Sequence, residues 1–139
     1  MIVVDTNVIS EMMRDNPEPA VLAWTATAGR LHTTAITLAE VEYGIARLPA
    51  GRRRDQLTAT ATDVFADFQD VILPFDVQAA HRYAEIVVDR DARGHPIAVA
   101  DAQIAAVCAA RKATLATRNT GDFESTGIQL VNPWQALDR

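Results

Sequence analysis

The sequence predicts an α/β domain with three layers, α/β/α, around a central, mostly parallel sheet of four to five strands. Three observations predict it. Short apolar runs recur along the chain, each too brief for an amphipathic helix. Between them lie amphipathic stretches of ten residues or more, long enough for the crossover that a parallel pair requires. Two of the apolar runs end directly in acidic or amide-rich segments, which would share one edge of such a sheet.

Each element can be justified in turn. Ile2–Val4 is a short strand, and Thr6 or Asn7 can cap a helix carrying Val8, Ile9, Met12 and Met13 on one face. Asn16-Pro17-Glu18-Pro19 ends that helix and starts another holding Val21, Leu22 and Trp24. Leu31–Thr33 fits a second strand. From Thr34 the pattern is helical, with Leu38, Val41, Ile45 and Leu48 on one face, until Pro49-Ala50-Gly51 breaks it. Leu57, Ala61, Val64, Phe65 and Phe68 mark the next helix, and Arg52-Arg53-Arg54 reads as its solvated start or a loop.

Val71–Leu73 is a third strand. Asp76 is a good N-cap for a helix placing Val77, Ala80, Ala84, Val87 and Val88 on one face and His81, Arg82, Glu85 and Asp89 on the other. Gly94-His95-Pro96 closes it. A helix from about Val99 to Arg111 follows, then a fourth strand at Thr114–Thr117 and a fifth at Ile128–Val131. Asn132-Pro133-Trp134 begins a short tail. With no repeat, linker or low-complexity segment, residues 1–139 are expected to form one domain.

Composition narrows the class. The chain has 139 residues, 49% of them hydrophobic, enough for a core without a disulfide or structural metal. Cys108 is the only cysteine, which excludes an intramolecular disulfide and a cysteine zinc site; it reads as a small core residue. His32, His81 and His95 are dispersed and offer no paired zinc ligands. The N-terminus has no charged region ahead of a long apolar stretch, and no segment approaches the ~20 apolar residues that span a bilayer, so a soluble, cytoplasmic protein is expected. Net charge is −5, which by itself disfavours a nucleic-acid partner, unless the acids converge on cations that neutralise them locally.

Four acids suggest such convergence. Asp5 directly follows the first strand, and Asn119 and Asp122 follow the fourth, so two strand ends deliver ligating groups to one edge. Asp101 lies near the start of the Ala-rich helix, and Glu40 within the helix after the second strand, among Ile36, Tyr43 and Gly44, a mainly apolar setting. Glu42 also has apolar neighbours, so periodicity does not choose between the two glutamates. Unit charges ~4 Å apart repel by about 4 kcal/mol at an effective dielectric near 20, so clustered carboxylates call for a cation. Oxygen ligands select Mg²⁺ or Mn²⁺, ions suited to phosphodiester hydrolysis by activated water. No Ser/His or Cys/His arrangement competes for that role.

These segments also resemble a family. Val3-Val4-Asp5-Thr6-Asn7-Val8-Ile9, Ile36-Thr37-Leu38-Ala39-Glu40-Val41, Ile97-Ala98-Val99-Ala100-Asp101-Ala102-Gln103-Ile104-Ala105-Ala106 and Leu115-Ala116-Thr117-Arg118-Asn119-Thr120-Gly121-Asp122-Phe123 are similar, in order and spacing, to the four acidic segments of PIN domains. The likeness is greatest to the VapC and FitB-like branch. It places the glutamate role on Glu40 and implies a homodimeric, Mg²⁺-dependent endoribonuclease toxin. A small VapB-like antitoxin would hold it inactive, in a heterotetramer or larger assembly. The resemblance implies metal binding by Asp5 and Asp101, metal binding or water orientation by Glu40, and a fourth ligand from Asp122 with Asn119 assisting, or from the Asn119 carbonyl. Thr6 and Thr117 would hydrogen-bond metal waters or phosphate, and Arg118 would contact the RNA backbone. Products would carry a 5′-phosphate and a 3′-hydroxyl.

Other readings are weaker. A haloacid-dehalogenase-type site wants a second Asp where Asn7 stands, and a receiver domain wants an early acidic pair and a phosphoacceptor, for which only Asp76 offers itself. A PIN-type fold that binds RNA or protein without cutting is the alternative from a different class.

Overall fold

The computed structural model describes residues 1–68 and 71–135. Five strands form the sheet: β1 (Ile2–Val4), β2 (Leu31–Thr34), β3 (Ile72–Leu73), β4 (Thr114–Ala116) and β5 (Gln129–Val131). Six helices connect them: α1 (Thr6–Met12), α2 (Pro19–Thr27), α3 (Ala35–Ala46), α4 (Arg52–Ala66), α5 (Val77–Ala92) and α6 (Val99–Arg111). A single 3₁₀ turn, Thr120–Phe123, lies between β4 and β5. Of the expected tail, residues 136–139 lie outside the described residues.

The strand order is β3-β2-β1-β4-β5, and every described pairing is parallel. β1 sits at the centre, with Ile2 opposite Leu31 on one side and Thr114 on the other, and Val4 opposite Ala116. The chain first winds outward from β1 through β2 to β3, then returns across the sheet to β4. The order therefore reverses between β1 and β4, and a crevice opens beyond the carboxyl ends of those two strands.

Alternation along the central strands makes the three layers. Val3 and Leu115 enter a cluster with Ile86, Ile104, Ala105 and Phe123, under α5 and α6. Their neighbours Val4 and Ala116 point the other way, into a cluster with Val8, Ile9, Trp24, Val41 and Phe65 from α1 to α4. Strands buried on both faces must be apolar throughout, which is why they read as unbroken runs. Each fully buried Val, Leu or Ile contributes roughly 1.5–3 kcal/mol. Cys108 is fully buried in the first cluster, and burial pushes its thiol up to about 12, so it is an inert core residue.

The helix starts are largely those expected. Asp76 Oδ1 accepts from the Ala79 N–H at 2.9 Å and caps α5. Thr34 Oγ1 accepts from the Thr37 N–H at 3.1 Å and caps α3. Arg52-Arg53-Arg54 opens α4. Two expectations are corrected. The cap of α1 is Asp5, neither Thr6 nor Asn7, because its carboxylate reaches the Thr6 N–H. The buried stripe of α5 is Ala79, Tyr83, Ile86 and Arg90, while Val77 and Val88, assigned inward from sequence, are each 69% exposed. Alanine and valine occur all round this helix, so the apolar pattern alone misjudges its phase. Among the described residues no helix is long and apolar enough to cross a membrane.

Candidate active site

The β1/β4 crevice is a cleft of about 590 Å³ whose walls include Asp5, Glu40, Asp101 and Asn119. Asp5 is fixed by the sheet itself. Its backbone N–H donates to the Ala116 carbonyl at 2.9 Å, extending the β1–β4 ladder by one residue. Its side chain is 4% exposed. Oδ1 accepts from the Thr6 N–H at 2.7 Å, and Oδ2 accepts from the Thr117 hydroxyl at 2.8 Å and the Asn7 amide at 3.5 Å. Residues just past the carboxyl ends of β1 and β4 thus grip one carboxylate.

Glu40 is brought in by α3. The Thr6 hydroxyl donates to its Oε1 at 2.7 Å and also lies 3.2 Å from the Thr37 hydroxyl. Glu40 is exposed and held by the Thr6 hydroxyl, so it does not project over apolar surface as its helical neighbours suggested. Glu42 lines a separate cleft between α3 and α4, with Leu38, Arg54 and Phe65. Two residues along a helix is a turn of about 200°, and that separates the two glutamates.

Asp101 stands in the first turn of α6 and is half-buried. Asp122 is carried by the 3₁₀ turn; it is exposed and not a wall of the cleft, whereas Asn119 is. The electrostatics nonetheless join all four acids. Burial pushes the Asp101 carboxyl up to about 6, reinforced by the charges of Asp5, Asp122 and Glu40 and opposed by Arg90. Asp5 is also raised, first by burial and then by Glu40 and Asp122, against the hydrogen bonds from Thr117 and Thr6.

Among the described residues no three His, Cys, Asp or Glu side chains stand close enough to enclose an ion unaided. The donor set nevertheless fits a hard, partly hydrated cation. Mg²⁺ keeps several waters and takes one or two carboxylates plus substrate oxygens, which suits an open cleft of carboxylate and amide oxygens.

Several residues of this region escape sequence reasoning. Asn7 donates to Asp5 and to Thr117 Oγ1, at 3.2 Å, and accepts from the Arg118 N–H at 3.3 Å, linking the two strand ends. Glu11, only 5% exposed, pairs with Arg14 at 2.9 Å on another wall of the cleft. Arg90 is buried and donates to the carbonyls of His95, Asp122 and Glu124 at 2.6, 3.0 and 2.7 Å. It fixes the backbone that carries Asp122. The signal for Arg90 was its place in the 79-83-86-90 stripe, an arginine at helical spacing from apolar residues.

A wholly parallel α/β sheet with carboxylates gathered at its switch point defines a class of proteins that handle cations or phosphates at that edge. Within that class, the chain belongs to the PIN-domain family, whose model matches residues 2–128. It is 40% identical over 138 residues to the VapC ribonuclease Y4jK of Sinorhizobium fredii, covering 97% of this chain and 99% of that protein. It is similar to the crystal structure of FitAcB from Neisseria gonorrhoeae, with a TM-score of 0.87 and 38% identity over 96% of this chain and 99% of that one. VapBC-5 of Mycobacterium tuberculosis, a member of the VapBC family of toxin–antitoxin systems, gives a TM-score of 0.68 at 25% identity, covering 93% of this chain and 94% of that one. Asp76, needed as phosphoacceptor by the receiver-domain reading, caps α5 instead.

Proposed function

We propose that this chain, one domain over residues 1–139, is a Mg²⁺- or Mn²⁺-dependent endoribonuclease and the toxin of a VapBC-type module. The observation that carries the reading is the gathering of Asp5, Glu40 and Asp101 on the β1/β4 crevice, with Asp122 near enough that its charge, with burial, raises Asp5 and Asp101. Carboxylates so placed are relieved by a cation, and the substrate that brings further oxygens to that cation is a phosphodiester. The likeness to a relative named a ribonuclease supports RNA as that substrate.

The roles follow from placement. Asp5, held rigid by three donors, and Asp101 are the direct ligands. Glu40, exposed and steered by Thr6, binds metal or accepts the proton of the attacking water. Asp122 completes the set, with Asn119 on the cleft wall beside it. A divalent metal held by Asp5 and Asp101 would supply the charge that acidifies a water and offsets negative charge on the phosphate oxygens. Thr6 and Thr117 hold and aim the two carboxylates they touch, and Arg118 contacts the RNA backbone. Attack by water leaves a 5′-phosphate and a 3′-hydroxyl.

A VapB-like antitoxin is the proposed partner, supported by the likeness to FitAcB and to a VapBC toxin–antitoxin protein. A homodimer, assembling further with antitoxin, is supported by the apolar strip of Val77, Ala84 and Val88 that α5 leaves exposed. An RNA substrate places the reaction in the cytoplasm. The test is cleavage of a mixed cellular RNA pool by purified, antitoxin-free protein with Mg²⁺ or Mn²⁺, with EDTA, and beside Asp5→Asn. Discrete products that need metal and vanish in the variant are expected. No cleavage by folded, metal-supplied protein would favour instead a PIN-fold module that binds without cutting.

A further inference from the structure

Arg118 lies two residues past the end of β4 and is exposed, yet it is held at both ends. Its backbone N–H donates to Asn7 Oδ1 at 3.3 Å, and its guanidinium carbon lies 5.2 Å from the centre of the Trp134 ring. Trp134 is set by the turn after β5. Its backbone N–H donates to Asn132 Oδ1 at 3.0 Å, the Gln135 backbone N–H donates to the Asn132 carbonyl at 3.0 Å, and the intervening Pro133 is buried. The ring is half-buried against the core under α1 to α4, and both residues line the acid cleft.

What Arg118 does not do is the second observation. The ion pairs among the described residues join Arg14 to Glu11, Arg82 to Glu85 and Arg93 to Asp89. Arg118 shares a cleft with Asp5, Glu40 and Asp101 and pairs with none of them. A guanidinium among carboxylates gains Coulomb energy by folding onto one, so something must hold it off. The indole face does so, by cation–π attraction along a ring that is itself anchored. The five donors of the fork remain available to an incoming anion.

We propose that Trp134 is a positioning residue that holds the Arg118 guanidinium poised for a phosphate of the RNA strand flanking the scissile one, which makes the segment after β5 part of the active site. The inference rests on the nuclease reading. It requires that Trp134 act through Arg118, on substrate binding rather than on the chemical step.

The test uses full-length protein with Mg²⁺ and a fluorescent single-stranded oligoribonucleotide, measuring KM and kcat between about 50 and 200 mM KCl. Trp134→Met keeps bulk against the core but removes the π face. Arg118→Gln and Trp134→Met are each expected to raise KM about fivefold with kcat within about twofold. Each lowers the slope of log KM against log salt by about 0.7, the loss of one phosphate contact on a single strand. The double variant does no more than either single, and Trp134→Phe stays near wild type. Thermal melting checks the fold; if Trp134→Met melts below the assay temperature, Asn132→Ala displaces the ring without deleting it and is expected to change the slope equally. A Trp134→Met protein with unaltered KM and salt slope, effects additive with Arg118→Gln, or a loss confined to kcat overturns the inference while leaving the nuclease reading intact. A wild-type protein that cuts no RNA overturns both.

Discussion

Asparagine in place of Asp101 is expected to stabilise the metal-free protein at neutral pH, although it removes a proposed ligand. The folded state holds this carboxyl at about 6, against an ordinary value of 3.8. Between those values the folded protein binds more protons than the unfolded chain, so stability falls as pH rises through the window. Above about 6 both states are ionised and the full penalty remains; below 3.8 it is absent. A displacement of about two pH units at 1.36 kcal/mol each gives roughly 2–3 kcal/mol. For a chain of this size 1 kcal/mol moves Tm by about 3 °C, so the variant should melt roughly 6–9 °C higher at pH 7.5 in EDTA. The assay is paired thermal melts from pH 4 to pH 8. The gap should open between pH 4 and pH 6 and stay constant above. Added Mg²⁺ should raise the wild-type Tm at pH 7.5 and leave the variant largely unmoved. A variant that melts with or below wild type at pH 7.5, or a gap independent of pH, would refute the electrostatic account of the site.

Other perturbations read other parts of the structure. Glu40→Gln should lower kcat by about 10²–10³-fold in the RNA cleavage assay, whereas Glu42→Gln, which faces a different cleft, should leave it within about twofold. Thr117→Ala removes the 2.8 Å donor to Asp5, so Asp5 should titrate higher, the rise of activity with pH should move to more alkaline pH, and urea unfolding should show a loss of about 1 kcal/mol. Arg90→Met leaves the His95, Asp122 and Glu124 carbonyls without their donor and should cost about 3 kcal/mol by the same method. Val88→Asp places a charge in the exposed strip of α5 and should convert a dimer to a monomer in light scattering at unchanged Tm.

Much of this molecule is legible in its sequence because its strands are buried on both faces and its acids stand where strands stop. Asp5 and Asn119 could be placed on one sheet edge by counting from Val4 and Ala116 alone. The glutamate could not. Leu38, Val41 and Ile45 define a face with Glu40 and Glu42 on either side of it, and only the Thr6 hydroxyl, 34 residues earlier, distinguishes them. Resemblance to PIN domains proposes Glu40, and the hydrogen bond from Thr6 is what sets it apart from Glu42. The phase of α5 was illegible for another cause. Its inward stripe contains an arginine and its outward one valines, which inverts the polarity on which periodicity depends. Arg90 belongs inside because two carbonyls of a distant turn, Asp122 and Glu124, need a donor there, as does the nearby His95 carbonyl. A partner contact between a helix and a loop more than 30 residues away leaves no local pattern.

The strand order has a consequence for when the site can exist. Asp5 is made more than 100 residues before its neighbour β4, which begins at Thr114, and Asp122 lies later still. A chain interrupted before that point has a central strand with one side unpaired and Asp5 without the Thr117 hydroxyl and the Ala116 carbonyl that hold it. The cleft is therefore closed only when β4 and the turn carrying Asp122 join the earlier-made β1. A growing chain that lacks those segments has no assembled acid cleft, so the order of synthesis itself delays the proposed chemistry until both have been made and have folded onto β1.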